Sequence, residues 1–77
     1  MSVSFPERLM TLRSRFHLTK KALAEAVGLS ERLVYYYEQG QRSPNMETLI
    51  ALADFFDVSI DYLVGRSDDP TPPRKES

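Results

Sequence analysis

Between Leu18 and Gly40 the chain reads LTKKALAEAVGLSERLVYYYEQG, and this stretch narrows the available folds more than any other. Thr19 is a good N-cap. The run from Lys20 to Val27 is rich in alanine and leucine, with Leu23, Ala24 and Val27 on one side, which predicts a helix of about two turns. Gly28 ends it, because the residue after a helix commonly takes a left-handed conformation that glycine reaches without a Cβ clash. Leu29 and a second cap, Ser30, follow at once, so the next helix, Glu31 to about Gln39, starts after very little chain. Two short helices around a glycine-bearing corner form a supersecondary unit with few alternatives.

The second of these helices has two unlike faces. A 100° step per residue places Val34, Tyr37 and part of Glu38 in one arc, the one that must face a core. The opposite arc collects Arg32, Tyr36 and Gln39, with Tyr35 and Leu33 on its flanks. Solubility alone does not require two tyrosines, an arginine and a glutamine on an outer face, so this is where a binding function is sought.

The rest of the chain supplies helices to pack against the corner. Ser4-Phe5-Pro6-Glu7 has the form of a capping box, opening a helix to about Phe16 in which Leu9, Leu12 and Phe16 recur at helical spacing. His17, at its end, reads as a solvated turn residue. Pro44 keeps Gln41 to Pro44 a loop, and Asn45 caps a fourth helix whose Met46, Leu49, Ile50, Leu52, Ala53 and Phe56 cover a broad apolar stripe. Ser59 caps a last short helix, Ile60 to Val64, closed by Gly65. Residues 67–77 hold three prolines and almost nothing apolar, which predicts a disordered tail behind a domain of residues 1–66.

Composition limits what such a domain does. Seventy-seven residues build one core, burying roughly 60% of the unfolded surface. With no cysteine, the core relies on apolar packing, which fits a reducing compartment. No signal-peptide pattern is present, and the longest apolar run, Leu49 to Ala53, is too short for a bilayer, so a cytoplasmic protein with no membrane partner is expected. Asp54, Asp57 and Asp61 straddle the break at Asp57-Val58-Ser59, so no single helix aligns them and no metal site is expected. Neither a nucleophile–base pair nor a cofactor motif suggests an enzyme or a small-molecule substrate. The net charge of −1 hides a segregation: residues 1–42 carry seven Lys and Arg against four Glu, net +3, and the remainder three against seven acidic residues, net −4. A basic front with an acidic back suits a nucleic-acid partner, because the local field governs approach.

Taken together, ERLMTLR in the first helix, LTKKALAEAVGLS at the corner, V-x-x-Y-E-x-G from Val34 to Gly40, RSP before the fourth helix, TLIALADFF and VSIDYLVG resemble the phage repressor and Cro-like (XRE) helix-turn-helix family over about Phe5 to Gly65. The resemblance implies an all-α, compact five-helix bundle that binds double-stranded DNA as a sequence-specific transcriptional regulator. It also implies repression by a homodimer. An antitoxin or restriction-modification controller of the same fold, or a protein-interaction module that has lost DNA, are the alternatives. Carried onto this chain, base-reading positions fall on Glu31, Arg32, Leu33 and Tyr36 with Tyr35 nearby, and phosphate positions on Lys20, Ser30, Gln39, Gln41, Arg42 and Ser43. Arg13 and Glu38 are expected to pair, linking the first helix to the end of the third. Phe55 with Tyr62 is a candidate self-association patch, unless Phe55 folds over the local core. The chain departs from the family in offering Leu33, Tyr35 and Tyr36 where many members read bases with Gln, Ser, Thr or Asn. It also has Lys20 where glutamine is common. Glu31 either accepts from a cytosine amine or only stabilises its own helix start.

Overall fold

The computed structural model describes residues 3–72. Five helices follow one another: α1 (Phe5–Arg15), α2 (Lys20–Val27), α3 (Glu31–Glu38), α4 (Met46–Phe56) and α5 (Ile60–Leu63), with no strand among the described residues. Every helix begins at a side chain that accepts from an otherwise orphaned amide. Thr19 Oγ1 accepts from Ala22 at 3.0 Å, Ser30 Oγ from Leu33 at 3.1 Å, Asn45 Oδ1 from Thr48 at 2.8 Å and Ser59 Oγ from Tyr62 at 3.0 Å. Ser4 does the same for Glu7 at 3.4 Å, but its hydroxyl also donates to the Glu7 carboxylate at 3.1 Å. That carboxylate therefore takes the cap's hydroxyl rather than its amide.

Leucines anchor the core. Leu9 and Leu12 of α1, Leu23 of α2, Val34 of α3, Leu52 of α4 and Leu63 of α5 are almost wholly removed from water, each contributing ~1.5–3 kcal/mol by the transfer scale. α1 and α2 both pack on α3, α4 bridges α2 and α5, and α5 returns to α1. α3 is thus held from two sides, leaving its third side free.

A buried charge pair fixes the far end of α3. Arg13 Nε donates to Glu38 Oε2 at 2.6 Å and Nη2 to Oε1 at 3.0 Å, while Nη1 donates to the Leu18 carbonyl at 2.9 Å. Glu38's side chain is 1% exposed. Chiefly through the hydrogen bond to Glu38, against the opposing effect of burial and with added help from its charge, Arg13's pKa is raised above its usual value. For a cation raised in the folded state, the stabilisation is present at every pH below the unfolded pKa, so the arginine side of the pair does not titrate in the ordinary range.

Several placements differ from the sequence reading. Phe16, at core spacing, is 45% exposed, because α1 has ended and the ring lies edge-on to Phe56 at 5.1 Å and beside Phe55 at 6.1 Å. Tyr62 is no part of an exposed patch with Phe55. It is 4% exposed, with the Arg8 guanidinium 3.8 Å from its ring centroid and Arg15 Nη1 donating to its hydroxyl at 3.4 Å. Burial opposes ionisation of this phenol, but the hydrogen bonds and charges of Arg8 and Arg15 outweigh it and lower its pKa. Arg8, counted from sequence as part of the basic front, is itself buried, its Nη2 reaching Asp68 at 3.3 Å.

The beginning of the expected tail also has a place. Ser59 N–H donates to the Pro70 carbonyl at 3.0 Å, Asp69 N–H to Ser67 Oγ at 3.0 Å and Thr71 N–H to Asp69 Oδ1 at 3.0 Å, which lays residues 67–72 beside the α4–α5 junction. Polar turns hold this segment where apolar burial does not. Residues 73–77 of that expectation lie outside the described residues. On α4 the broad stripe is only partly used: Leu52, Ala53 and Phe56 are buried, whereas Met46 and Ile50 are 61% and 43% exposed.

Two glycines turn the chain by different means. Gly28 has φ +74 with open space around it, whereas Gly65 has φ +84 and a Cβ there would lie 1.6 Å from the Val3 carbonyl oxygen. Gly28→Ala is expected to cost about 1–2 kcal/mol, the left-handed penalty alone. Gly65→Ala must also displace Val3, so its thermal midpoint should fall further, by roughly 10 °C or more; equal losses would show that the Val3 contact is immaterial. Glu38→Ala, which strands Arg13, should cost ~3 kcal/mol in denaturant unfolding, and an Arg13→Met/Glu38→Leu double replacement should recover most of it.

Candidate nucleic-acid interface

α3 ends up with three residue classes. Val34, Tyr37 and Glu38 are buried, Leu33 and Tyr36 are half-buried, and Glu31, Arg32, Tyr35 and Gln39 are exposed. Leu33 packs partly against the core, so it presents an edge rather than a whole side chain. Tyr35 and Tyr36 lie tilted against each other, with centroids 5.9 Å apart and planes at 57°. This restrains two rings that would otherwise move independently.

Lys20, from the first turn of α2, joins Glu31, Arg32 and Tyr35 around one open groove of about 430 Å³. Two cations, one carboxylate and an aromatic edge thus converge from the starts of two helices. Sequence spacing on α3 places Arg32 and Tyr35 one turn apart, but nothing in the sequence brings Lys20 to them. That follows from the angle at which the Gly28–Ser30 corner sets α2 against α3.

Ser30 holds the first turn of α3 through its oxygen, which leaves its hydroxyl proton available to an external acceptor. Thr19 caps Ala22, and the amides of Lys20 and Lys21, which precede the first intrahelical bond, stand at the positive end of α2 beside the Lys20 side chain. At the other end of α3, Gly40 N–H donates to the Tyr37 carbonyl at 3.2 Å and Gln41 N–H to the Tyr36 carbonyl at 2.9 Å. These bonds fix how the loop leaves the helix, with Gln39, Gln41, Arg42 and Ser43 all exposed. Arg42 and Ser43 border a cleft of about 350 Å³ whose other walls include Phe5, Pro6 and Leu49. Phe5 in turn packs edge-on to Tyr37 at 6.1 Å. Along the sequence Phe5 and Pro6 serve only to start α1; their place behind this loop depends on the folded chain. Arg13 and Glu38 stand inside, supporting the end of α3 rather than facing outward.

The helix-turn-helix family model matches residues 9–63. Among curated relatives, the uncharacterised HTH-type transcriptional regulator YobD of Bacillus subtilis is 39% identical over 66 residues, covering 86% of this chain. The cryptic phage CTXphi transcriptional repressor RstR of Vibrio cholerae is 38% identical over 60 residues, covering 78%. This chain spans 59% and 54% of their respective lengths. Among solved structures, the P22 c2 repressor in complex with synthetic operator 9T superposes with a TM-score of 0.80 at 29% identity, covering 86% of this chain and all of that one. With its capped α2, its glycine corner and an α3 held on two sides and open on the third, the chain belongs to the helix-turn-helix family, of the XRE type that includes phage repressors.

Proposed function

We propose that this domain binds double-stranded DNA in a sequence-specific manner as a transcriptional regulator, in the sense of a repressor. α3 lies in the major groove, α2 crosses the backbone, and two copies of the chain bind half-sites about one DNA turn apart. The observation that carries this reading is the groove shared by Lys20, Glu31, Arg32 and Tyr35 on the side of α3 that the core does not use. Likeness to an operator-bound repressor domain and to a named phage repressor supports it.

Each residue then has a distinct role. Arg32 forks onto the O6 and N7 of a guanine, a pairing worth roughly 1–3 kcal/mol of discrimination. Tyr36 and the exposed edge of Leu33 offer apolar contact to a thymine methyl, and Tyr35 flanks them. Glu31 stands at the first turn of α3, where it stabilises the helix dipole, and accepts from a cytosine amine where one is presented. Lys20, Ser30 and the loop residues Gln39, Gln41, Arg42 and Ser43 hold phosphates and so set register without reading sequence. No helix of the described residues is long and apolar enough to cross a membrane.

Selection of bound sites from random duplex DNA, followed by titration of the winner, tests the reading. Arg32→Ala should flatten the preference among sites, with a loss of roughly tenfold or more on the best site and little on random DNA. Lys20→Ala should weaken all sequences similarly and reduce the salt slope by about one. Absence of any duplex binding at low salt would favour a protein-interaction module instead.

A further inference from the structure

The acidic half of the chain and the outer part of the α4 stripe take no part in DNA contact as proposed, and they meet in one place. Met46 and Ile50, 61% and 43% exposed, lie one turn apart on α4. Ile50 opens into a cleft of about 720 Å³ between the end of α4, α5 and residues 67–72, with Ile60 on its apolar side. Asp54, Asp57, Asp61 and Asp69 line the same cleft, and no lysine or arginine does among the described residues. None of these residues borders the groove on α3.

Folding accounts for only half of this arrangement: Asp61 sits in the favourable first turn of α5 and Asp69 accepts from the Thr71 amide, but the other two aspartates have no such role. Asp54 is in the last turn of α4 and Asp57 is its C-cap, where the helix dipole is negative and a carboxylate is unfavourable. Asp57 also adopts φ 57, a left-handed conformation that uncharged asparagine tolerates equally well. An isologous contact with a second copy would set four carboxylates against four, and the DNA backbone is repelled likewise.

We propose that the α4–α5 cleft docks a basic amphipathic segment of a partner protein. Its apolar side chains seat against Ile50 and Ile60, and its lysines or arginines meet the aspartate rim. Because the cleft and the α3 groove share no residue, the domain receives this partner while bound to DNA.

The test uses the full chain and three labelled twelve-residue peptides: an amphipathic Leu/Lys sequence, the same pattern in Leu/Glu, and a Ser/Lys sequence of equal charge. Fluorescence anisotropy should show binding of the Leu/Lys peptide alone, with amide shift changes confined to the end of α4, α5 and residues 67–72. Asp54→Asn/Asp57→Asn should weaken that binding at least tenfold while preserving or raising the melting temperature. Ile50→Ser should weaken it comparably and leave DNA affinity unchanged. Equal binding by the double variant, equal binding of the Ser/Lys peptide, or shifts on α3 would overturn the proposal. Two rival occupants have their own signatures, each of which also overturns it. If Ile50→Ser converts a dimer to a monomer in sedimentation, the surface belongs to a second copy. If Arg74→Ser/Lys75→Ser strengthens peptide binding at least tenfold, the chain's own basic residues fill the cleft.

Discussion

The outward face of α3 depends on how its inward face is held, and the most demanding part of that hold is the pair between Arg13 and Glu38. A carboxylate with 1% of its side chain exposed is tolerable only because a guanidinium meets it with two hydrogen bonds and then spends a third on the Leu18 carbonyl. That third bond matters as much as the pair. It ties the start of the corner segment to the same side chain that secures the end of α3. One arginine of α1 thus spans the whole corner, and the geometry is directional in a way that leucine packing is not.

Apolar packing supplies the larger share of the free energy, but much less of the orientation. Leu23 and Ala24 of α2 and Val34 and Tyr37 of α3 belong to one core cluster, and hydrophobic contact of this sort tolerates small rotations. A groove built from Lys20 on one helix and Arg32 and Tyr35 on the other does not. In the proposed complex with DNA, a shift of about 1 Å at the end of α3 would change which base edges its side chains meet, so the buried pair would act there on recognition as well as on stability.

Charge is partitioned to match. Lys20 and Arg32 meet at the α3 groove and Arg42 stands in the loop after α3, with exposed Arg15 and Arg66 elsewhere, while four carboxylates of the second half, Asp54, Asp57, Asp61 and Asp69, line the α4–α5 cleft. Arg8 is the exception that shows the count along the sequence to be too simple. It is buried, lying on the Tyr62 ring and reaching the opposite charge of Asp68, and adds little to an outward field. Tyr62 illustrates the same point for aromatic residues, since its buried ring lies under Arg8 and its hydroxyl accepts from Arg15.

What the sequence determined by itself was set by interactions within a few residues. The five caps, the glycine corner, the order and extents of the helices and the inner arc of α3 all rest on contacts between positions three or four apart or on a single backbone conformation. They appear in the folded chain within a residue of where the pattern puts them. The tertiary structure decided the rest. It exposed Phe16 and buried Tyr62, laid Val3 against Gly65, set Lys20 beside Tyr35 and brought residues 67–72 over the end of α4. Each of these joins positions distant along the chain, and helical periodicity states which face a residue is on but not what the fold will bring to cover it.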